Sequence, residues 1–396
     1  NEKPSGTGNL EIILELNSGL CPEAEGTNGI AFNTADGHLG HAYRDLRVWD
    51  ACGEILEASM SLNHGNSRLT ITVVDQSATY PLVVDPVSTT EDRLLTPPIG
   101  GDFGYSVSTA GDLNGDGYSD VVVGAPQATS GEAGEGLVYV YYGSVTGIPA
   151  APSVTLQVNQ PGAQFGFSVD GAGDVNNDGY SDLLVGAPTW ENNVATDKEG
   201  AMFVFHGSAT GVSTLPALTL QSNATNNYMG YSVACLGDIN GDGYSDVGTG
   251  GYLAANPQTN EGLAWIYLGS ATGVNPVFRH LLERNQGAAQ FGGCISAAGD
   301  VNGDGFNDVI IGAHKFELTP GCPTINTCDD GGIFIYHGSA NALGAGANPN
   351  PTTIFNTAGY SIHTGWAVST AGDVNGDGYS DVIVGDWRDE MGPEIS

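Results

Sequence analysis

One acidic pattern recurs five times along the chain and constrains its fold more than any other feature. Each copy reads Gly-Asp-x-Asn-x-Asp-Gly-aromatic-x-Asp and leads into an apolar run, and successive copies begin 62, 64, 62 and 73 residues apart. Self-similarity at a nearly fixed period is the signature of repeat architectures, in which each repeat stacks on its neighbours. The five acidic segments, called loops 1 to 5 below, span residues 112–120, 174–182, 238–246, 300–308 and 373–381.

The segments between the loops are typical of β-strands. Each loop is followed by an apolar run such as 121–123, and in the first four repeats an alternating segment such as 137–142 then ends at a Gly-Ser pair. Short runs of β-branched and aromatic residues bounded by Gly, Pro, Asn or Ser indicate strands. About four strands fit in one repeat, which is one blade of a β-propeller. We therefore predict an all-β propeller of four full repeats and a partial fifth, at about 100–160, 161–225, 226–287, 288–361 and 362–396.

The first part of the chain lacks the repeat. Apolar residues alternate from Leu10 to Leu16, and later strand candidates lie at 46–49, 68–74 and 81–84, which predicts a small β-sandwich-like domain. We place this domain at 1–95 and the propeller at 96–396. Because the chain starts at Asn1 and stops soon after loop 5, we expect a processed or trimmed chain, with further blades completing the ring.

Composition excludes several functional classes. The 396 residues include 45 acidic and only 10 basic side chains, for a net charge of −35, which disfavours nucleic acids and anionic membrane surfaces as partners. No apolar run reaches the roughly 18 residues of a membrane helix. The 60 glycines show no three-residue period, which excludes collagen, and the 40% hydrophobic content argues against disorder. Cations are the species that this charge balance favours.

The acidic loops have the donor pattern of a calcium site. Oxygen-bearing side chains at positions 1, 3, 5 and 9 can converge, Gly at position 6 permits a sharp turn, and the carbonyl of position 7 can turn inward. This oxygen-only set favours Ca²⁺ over Mg²⁺ or Zn²⁺, at about five sites. The predicted ligands are Asp112, Asn114, Asp116, Tyr118 and Asp120; Asp174, Asn176, Asp178, Tyr180 and Asp182; Asp238, Asn240, Asp242, Tyr244 and Asp246; Asp300, Asn302, Asp304, Phe306 and Asp308; and Asp373, Asn375, Asp377, Tyr379 and Asp381.

A simpler interpretation is that Asp, Asn and Gly only build tight turns in these loops. Recurrence of all ligand positions in five copies favours the metal site over this alternative. A structural ion is favoured over a catalytic one, because no nucleophile or base accompanies each loop.

Three elements together resemble FG-GAP repeats, which occur in the propeller of integrin α subunits and in many secreted bacterial proteins. These elements are Phe-Gly at 103–104, the acidic loop, and Gly-Ala-Pro at 124–126, and the resemblance covers residues 100–396. It implies a propeller, usually of seven blades, with Ca²⁺ in hairpin loops on one face and recognition commonly on the other. The departures from the pattern are Met229-Gly230 and 248–251 in repeat three, His314 in repeat four, and Gly365-Trp366 and 385–387 in repeat five.

The cysteines and histidines give weaker signals. The six cysteines form no metal-binding spacing, and their even number is compatible with disulfides in an oxidising compartment. We predict a bridge between Cys322 and Cys328, and leave disulfides or free thiols open for Cys21, Cys52, Cys235 and Cys294. Packing is favoured over metal binding for His206 and His337, whose place is taken by Tyr or Leu in other copies, and His38 and His41 form no clear site.

The sequence therefore predicts a secreted or cell-surface, calcium-binding propeller that is not an enzyme. Its role would be adhesion, protein–protein binding or assembly of an extracellular structure, with a protein or glycan ligand or further copies of itself as partners. No catalytic or cofactor-binding residue is predicted, because no GxSxG, HExxH or P-loop motif is present. Two alternatives remain: a secreted enzyme that acts on polysaccharides, and a lectin whose aromatic residues bind sugars.

Overall fold

The computed structural model describes residues 9–15, 21–24, 29–33, 39–63, 68–80, 82–88, 94–192, 198–317, 330–346, 348–355 and 363–386. All regular elements in these ranges are β-strands, which confirms the predicted fold class. A helix long and apolar enough to cross a membrane is not found in the described ranges. The chain divides into two compact units, Asn1–Leu95 and Thr96–Ser396.

The first unit contains two antiparallel sheets that share one core. Ile30 and Val48 from one sheet and Met60 and Ile71 from the other belong to a single cluster of buried apolar side chains, which is the packing of a β-sandwich. One sheet has the order β1-β7-β6, and the other has the order β2-β3-β4-β5 with β8 also paired to β4. The strands are β1 (Leu10–Glu15), β2 (Cys21–Ala24), β3 (Ile30–Asn33), β4 (Leu39–Trp49), β5 (Ile55–Leu56), β6 (Ala58–Asn63), β7 (Arg68–Val73) and β8 (Val83–Ser88).

In the described residues, the second unit contains four antiparallel sheets of four consecutive strands each, followed by a fifth sheet of two strands. This confirms four strands per repeat, and we call each sheet a blade. The strands of blades 1 and 2 are β9 (Ser106–Gly111), β10 (Asp120–Ala125), β11 (Leu137–Tyr141), β12 (Val154–Leu156), β13 (Ser168–Gly173), β14 (Asp182–Ala187), β15 (Ala201–Phe205) and β16 (Leu218–Gln221). Those of blades 3 and 4 are β17 (Ser232–Gly237), β18 (Asp246–Gly251), β19 (Leu263–Tyr267), β20 (His280–Leu282), β21 (Cys294–Gly299), β22 (Asp308–Ala313), β23 (Gly332–Tyr336) and β24 (Thr353–Phe355). Blade 5 has β25 (Thr364–Gly372) and β26 (Asp381–Asp386).

Consecutive blades pack on each other through their first strands and their apolar faces. The first strands β9, β13, β17, β21 and β25 lie side by side in chain order, which is the arrangement of propeller blades around an axis. Each main apolar cluster of this unit joins two neighbouring blades; for example, Val140 of blade 1 and Phe205 of blade 2 lie in the same cluster. The middle strands β14 and β15 are therefore buried along their whole length, which explains their almost continuous apolar sequence.

Glycines of the repeat motifs allow neighbouring blades to approach closely. A Cβ atom at Gly124, in the Gly-Ala-Pro element, would lie 2.0 Å from the carbonyl oxygen of Gly166, in the next Phe-Gly element. The hydroxyl of Ser106 donates a hydrogen bond of 2.8 Å to the same oxygen. The pairs Gly186–Gly230, Gly250–Gly292 and Gly312–Gly365 repeat this close approach. Only glycine fits such backbone contacts, so these positions are kept in repeats where Phe or Pro has been replaced.

Candidate functional site

All five loops lie at the same end of the blades. Loop 1 joins β9 to β10, and each later loop likewise joins the first strand of its blade to the second. Because the first strands run side by side in the same direction, their carboxyl ends bring the loops to one face of the unit. This face is called the loop face below.

The first, third and fifth side chains of each loop hold its backbone in a tight turn. In loop 1, the Oδ1 atom of Asp112 accepts hydrogen bonds from the N–H groups of Gly115 (2.7 Å) and Asp116 (3.1 Å), and its Oδ2 atom accepts one from Gly117 (2.8 Å). The Oδ1 atom of Asn114 accepts one from the Asp116 N–H (3.0 Å). The side chains that were predicted as ligands thus act together around one turn, as Asx-turn chemistry requires.

The aspartate at position 9 connects its loop to a distant strand. Asp120 is fully buried, and its two carboxylate oxygens accept hydrogen bonds from the N–H groups of Leu113 and Gly143, each at 2.8 Å. Gly143 belongs to the Gly-Ser pair that follows the third strand. The same bonds join Asp182 to Gly207, Asp246 to Gly269 and Asp308 to Gly338. Sequence reasoning treated this residue only as a ligand and missed its structural role, although the Gly-Ser pair recurs in each full repeat.

Burial makes the charge of these position-9 aspartates costly. It raises the pKa of Asp182 to about 6 and that of Asp246 to about 7, and it also raises the pKa values of Asp120 and Asp308. Backbone N–H groups counter this rise, whereas neighbouring carboxylates of the same loop add to it. Desolvated carboxylates close to one another repel, and a hard divalent cation would relieve that repulsion. The donor set of the loops therefore fits Ca²⁺.

The geometry of the loops does not itself define a metal centre. Within the described residues, no three carboxylate, imidazole or thiol groups converge closely enough to hold an ion. The carboxylates at positions 1 and 5 accept hydrogen bonds from the backbone instead. The assignment of Ca²⁺ to the 25 ligand residues thus stays a prediction.

Neighbouring loops touch each other along the loop face. The backbone N–H at position 8 of one loop donates a hydrogen bond to the carbonyl of position 1 in the loop before it. These bonds join Ser181 to Asp112 (3.0 Å), Ser245 to Asp174 (3.0 Å), Asn307 to Asp238 (3.2 Å) and Ser380 to Asp300 (2.9 Å). In addition, where position 4 of a loop is glycine, the aromatic ring at position 7 of the next loop packs over it: a Cβ atom at Gly303 would lie 2.7 Å from the ring of Tyr379. The five loops therefore form one connected series.

A row of aromatic rings lies at the opposite ends of the first strands. Tyr105, Phe167 and Tyr231 each follow the glycine of the Phe-Gly element, and Tyr252 follows the second strand of blade 3. Their ring centroids are separated by 4.8 Å, 4.9 Å and 4.1 Å in that order. Tyr105 remains 54% exposed. These four residues are called the aromatic row, and the surface that carries them the aromatic face.

The fourth and fifth repeats contribute different residues to the aromatic face. In repeat four, Gly293 takes the position that an aromatic residue has in the first three repeats, and the imidazole of His314 packs beside Gly293. His314 lies 4.5 Å from Trp366 and 6.2 Å from His363, measured between ring centroids. Burial lowers the pKa of His314 to about 4, and the nearby Lys315 and His363 contribute to this decrease. This face was not predicted from the sequence, although the position after each Phe-Gly glycine is a repeated signal.

The described cysteines are free thiols. Cys21 and Cys52 are exposed, whereas the thiols of Cys235 and Cys294 each donate a hydrogen bond of 3.1 Å to a backbone carbonyl of the next or previous blade. Burial raises the pKa of Cys235 to about 11. Disulfides are thus not found for these four residues, and the predicted Cys322–Cys328 bridge lies outside the described residues.

The histidines singled out from the sequence show no metal-binding role among the described residues. The ring of His206 packs against Gly273, where a Cβ atom would lie 2.7 Å from the ring. His38 and the side chain of His41 lie outside the described residues.

Four-stranded blades, linked through their first strands and carrying one turn-forming acidic loop each, define an all-β propeller. Comparison with known proteins agrees: the family described as "FG-GAP repeat" matches residues 103–141, 165–196, 295–335 and 364–385. The chain therefore carries FG-GAP repeats. The third repeat is not matched, but its blade β17–β20 has the same topology as the others.

Integrin α subunits are similar to this chain over part of their length. Integrin alpha-6 of Gallus gallus is 38% identical over 151 residues, which cover 37% of this chain and 13% of that protein. Integrin alpha-V of Gallus gallus is 32% identical over 239 residues, which cover 56% and 22%, and integrin alpha-4 of Xenopus laevis is 34% identical over 221 residues, which cover 53% and 20%. The chain thus spans less than a quarter of the length of these relatives. The structure of a thermostable family-43 glycoside hydrolase is 13% identical, covers 75% of this chain and 94% of its own, and has a TM-score of only 0.32.

Proposed function

We propose that this chain is the binding propeller of a secreted or cell-surface protein that acts in adhesion, protein–protein binding or assembly of an extracellular structure. The observation that carries this proposal is the contrast between the two ends of the blades. The loop face repeats one acidic turn, whereas the aromatic face presents rings that differ from blade to blade, exposed at Tyr105 and Trp366 and half-buried between them. Similarity to integrin α subunits supports a role in binding rather than in catalysis.

The loop face would hold Ca²⁺ as a structural ion. Asp112, Asn114, Asp116 and Asp120 with the carbonyl of Tyr118 would be the ligands in loop 1, and the same positions would serve in the other loops. Bound Ca²⁺ supplies positive charge that offsets the repulsion among the carboxylates. The residues themselves orient the turn: position 1 holds the backbone N–H groups, and position 9 ties the loop to the Gly-Ser pair. A rigid loop face would in turn fix the first strands that carry the aromatic face.

The aromatic face would bind the partner. Tyrosine and tryptophan are enriched at the centres of protein interfaces, because they bury large areas with few rotatable bonds. Tyr105 and Trp366 are 54% and 42% exposed, so they offer apolar area without any rearrangement of the blades. Aromatic rings can also stack on sugars, so a glycan ligand is the second candidate.

Calcium binding is tested by calorimetric titration and by thermal unfolding of the full chain. We expect a stoichiometry of about five, one ion per loop, and a higher Tm in CaCl2 than in EDTA. A double variant with Asp112→Asn and Asp116→Asn should lose one site and keep the others. A Tm that is equal in CaCl2 and EDTA, together with no heat of binding, would contradict the calcium assignment.

Partner binding is tested on arrays of extracellular matrix proteins and of glycans. We expect binding that is lost in a double variant with Tyr105→Ser and Tyr231→Ser and kept in the loop 1 variant when CaCl2 is present. Binding to glycans alone would establish the lectin alternative. Binding that survives the tyrosine substitutions would show that the aromatic face is not the recognition surface.

A further inference from the structure

Four of the five loops carry an Asn-Gly pair at positions 3 and 4, and this pair has reactive chemistry that the metal site does not require. The pairs are Asn114-Gly115, Asn240-Gly241, Asn302-Gly303 and Asn375-Gly376. Glycine has no side chain to hinder its own backbone nitrogen, which can therefore approach the side-chain carbonyl carbon of the preceding asparagine. Loop 2 differs, because it has Asn176 followed by Asn177.

A carboxylate accepts a hydrogen bond from the potential nucleophile in each of these four loops. The N–H of Gly115 donates to Oδ1 of Asp112 at 2.7 Å. The equivalent distances are 2.6 Å for Gly241 and Asp238, 2.7 Å for Gly303 and Asp300, and 2.7 Å for Gly376 and Asp373. A base within hydrogen-bond reach of a nitrogen is in place to take its proton.

The asparagine side chain is held over the same turn. Oδ1 of Asn114 accepts a hydrogen bond of 3.0 Å from the N–H of Asp116, and this bond polarises the side-chain carbonyl. Oδ1 of Asn240 is held at 2.8 Å from the N–H of Asp242. The glycines of all four pairs are exposed at the protein surface, so water can reach the turn. Nucleophile, base and electrophile are thus neighbours in a surface loop.

We propose that these four Asn-Gly pairs are sites of non-enzymatic deamidation in the folded protein. In loop 1, the nitrogen of Gly115 bonds to Cγ of Asn114 while its proton passes to Asp112. The bond between Cγ and Nδ2 then breaks, and the side-chain nitrogen takes up that proton and leaves as ammonia. Water opens the resulting cyclic imide at either carbonyl, which yields aspartate or isoaspartate. Aspartate adds a carboxylate to the loop, and isoaspartate lengthens its backbone.

Loop 2 provides a control within the same molecule. Asn177 adopts a φ of 56° and has a side chain that crowds its nitrogen. Within the described ranges, the backbone N–H of Asn177 donates no hydrogen bond to the Asp174 carboxylate. In the other four loops, the glycine N–H at position 4 donates to the aspartate at position 1. The attack on Asn176 therefore lacks both the accessible nitrogen and the aligned base, although the rest of loop 2 repeats the turn of the other loops.

Calcium is expected to protect the four sites, and this part of the inference rests on the proposed function. A cation held by Asp112 and Asn114 would occupy the carboxylate electron pairs that otherwise accept the proton. Deamidation should therefore be slow in the metal-bound protein and faster after chelation. Asn28-Gly29, which lies outside the loops, is a reference pair whose rate calcium should leave unchanged.

The experiment follows the full chain during storage at neutral pH in EDTA or in excess CaCl2, with peptide mapping by mass spectrometry and detection of isoaspartate. In EDTA we expect Asn114, Asn240, Asn302 and Asn375 to react at least about tenfold faster than Asn176, which corresponds to about 1.4 kcal/mol in activation free energy. Equal rates at Asn176 and the four sites would overturn the proposal.

Two variants separate the folded-state reaction from simple unfolding. Asp112→Asn should slow the reaction at Asn114 severalfold in EDTA and leave Asn240 unchanged, and Asn177→Gly should make Asn176 react like the other sites. An unchanged or faster reaction at Asn114 in the first variant would reject the role of Asp112. If the EDTA pattern holds, CaCl2 gives no protection and the Tm is equal in CaCl2 and EDTA, the calcium assignment fails while the four modification sites are confirmed. If calcium raises the Tm but none of the four sites reacts, the modification fails alone.

Discussion

The two ends of the first strands differ in how strictly their residue types recur from repeat to repeat. At the loop face, every repeat keeps Asp, Asn, Asp and Asp at the same positions of the turn. At the aromatic face, the equivalent position holds Tyr105, Phe167, Tyr231, Gly293 or Trp366. A position that supports the fold in every blade tolerates little change, whereas a surface that recognises one partner has no reason to be identical in five blades. This difference is what we expect if the loop face is structural and the aromatic face is the binding surface, as proposed above.

The close glycine contacts beside the aromatic face should produce the largest loss of stability. Gly186→Ala would place a Cβ atom 2.1 Å from the carbonyl oxygen of Gly230, so blades 2 and 3 would have to separate. We expect the free energy of unfolding to fall by about 3 kcal/mol, which is the upper end of the usual cost of overpacking. Chemical denaturation measures this loss. Gly100→Ala, in open space, is the control and should change stability little; similar losses in both variants would contradict the blade-contact explanation.

The histidine of the aromatic face should make stability depend on pH. In the unfolded chain His314 titrates near 6.5, whereas burial lowers its pKa to about 4 in the folded protein. The unfolded state therefore binds the proton first, and stability that is complete above pH 6.5 is lost as the pH falls toward about 4. The loss should approach about 3 kcal/mol. Denaturation of wild type and His314→Gln across this range measures it, and parallel pH profiles would contradict the assignment.

The contact between neighbouring loops should produce a smaller effect at the loop face. Gly303→Ala would bring a Cβ atom within 2.7 Å of the Tyr379 ring, whereas Gly305→Ala, in the same loop, would meet nothing within 4 Å. Both glycines have positive φ, so backbone strain is common to the two variants. We expect Gly303→Ala to cost about 1 to 2 kcal/mol more in thermal unfolding. Equal costs would mean that strain alone, and not the link between loops 4 and 5, requires glycine.

Truncation of an exposed ring should have the smallest effect on stability. Tyr105→Ala removes a side chain that is 54% exposed and lies at the free end of the aromatic row. We expect a change within about 0.5 kcal/mol, as for most surface substitutions. Thermal unfolding measures it, with Phe165→Ala as a buried aromatic control that should lose several times more. A large loss in Tyr105→Ala would mean that the row is core and not a binding surface.

Much of the propeller could be predicted from local patterns. The strands β10 and β11 follow from β-branched and aromatic runs, and the turn of each loop follows from Asp, Asn and Gly at fixed spacing. These features depend on residues within a few positions of one another. The role of Asp120 could not be predicted in the same way, because its partner Gly143 is 23 residues away and is reached only when the third strand pairs with the second.

The sequence alone determined the repeat, the four strands of each full repeat and the turn chemistry of the loops, because each of these depends on local spacing. Only the tertiary structure decided which glycine positions have no room for a Cβ atom and how one loop hydrogen-bonds to the next. It also decided that the rings of Tyr105, Phe167 and Tyr231 lie in one row. These contacts join residues about one repeat apart, and their positions are set when the first strands come to lie side by side. Burial is decided at this level too, and it is the main reason that the pKa values of Asp246 and His314 depart from their usual range.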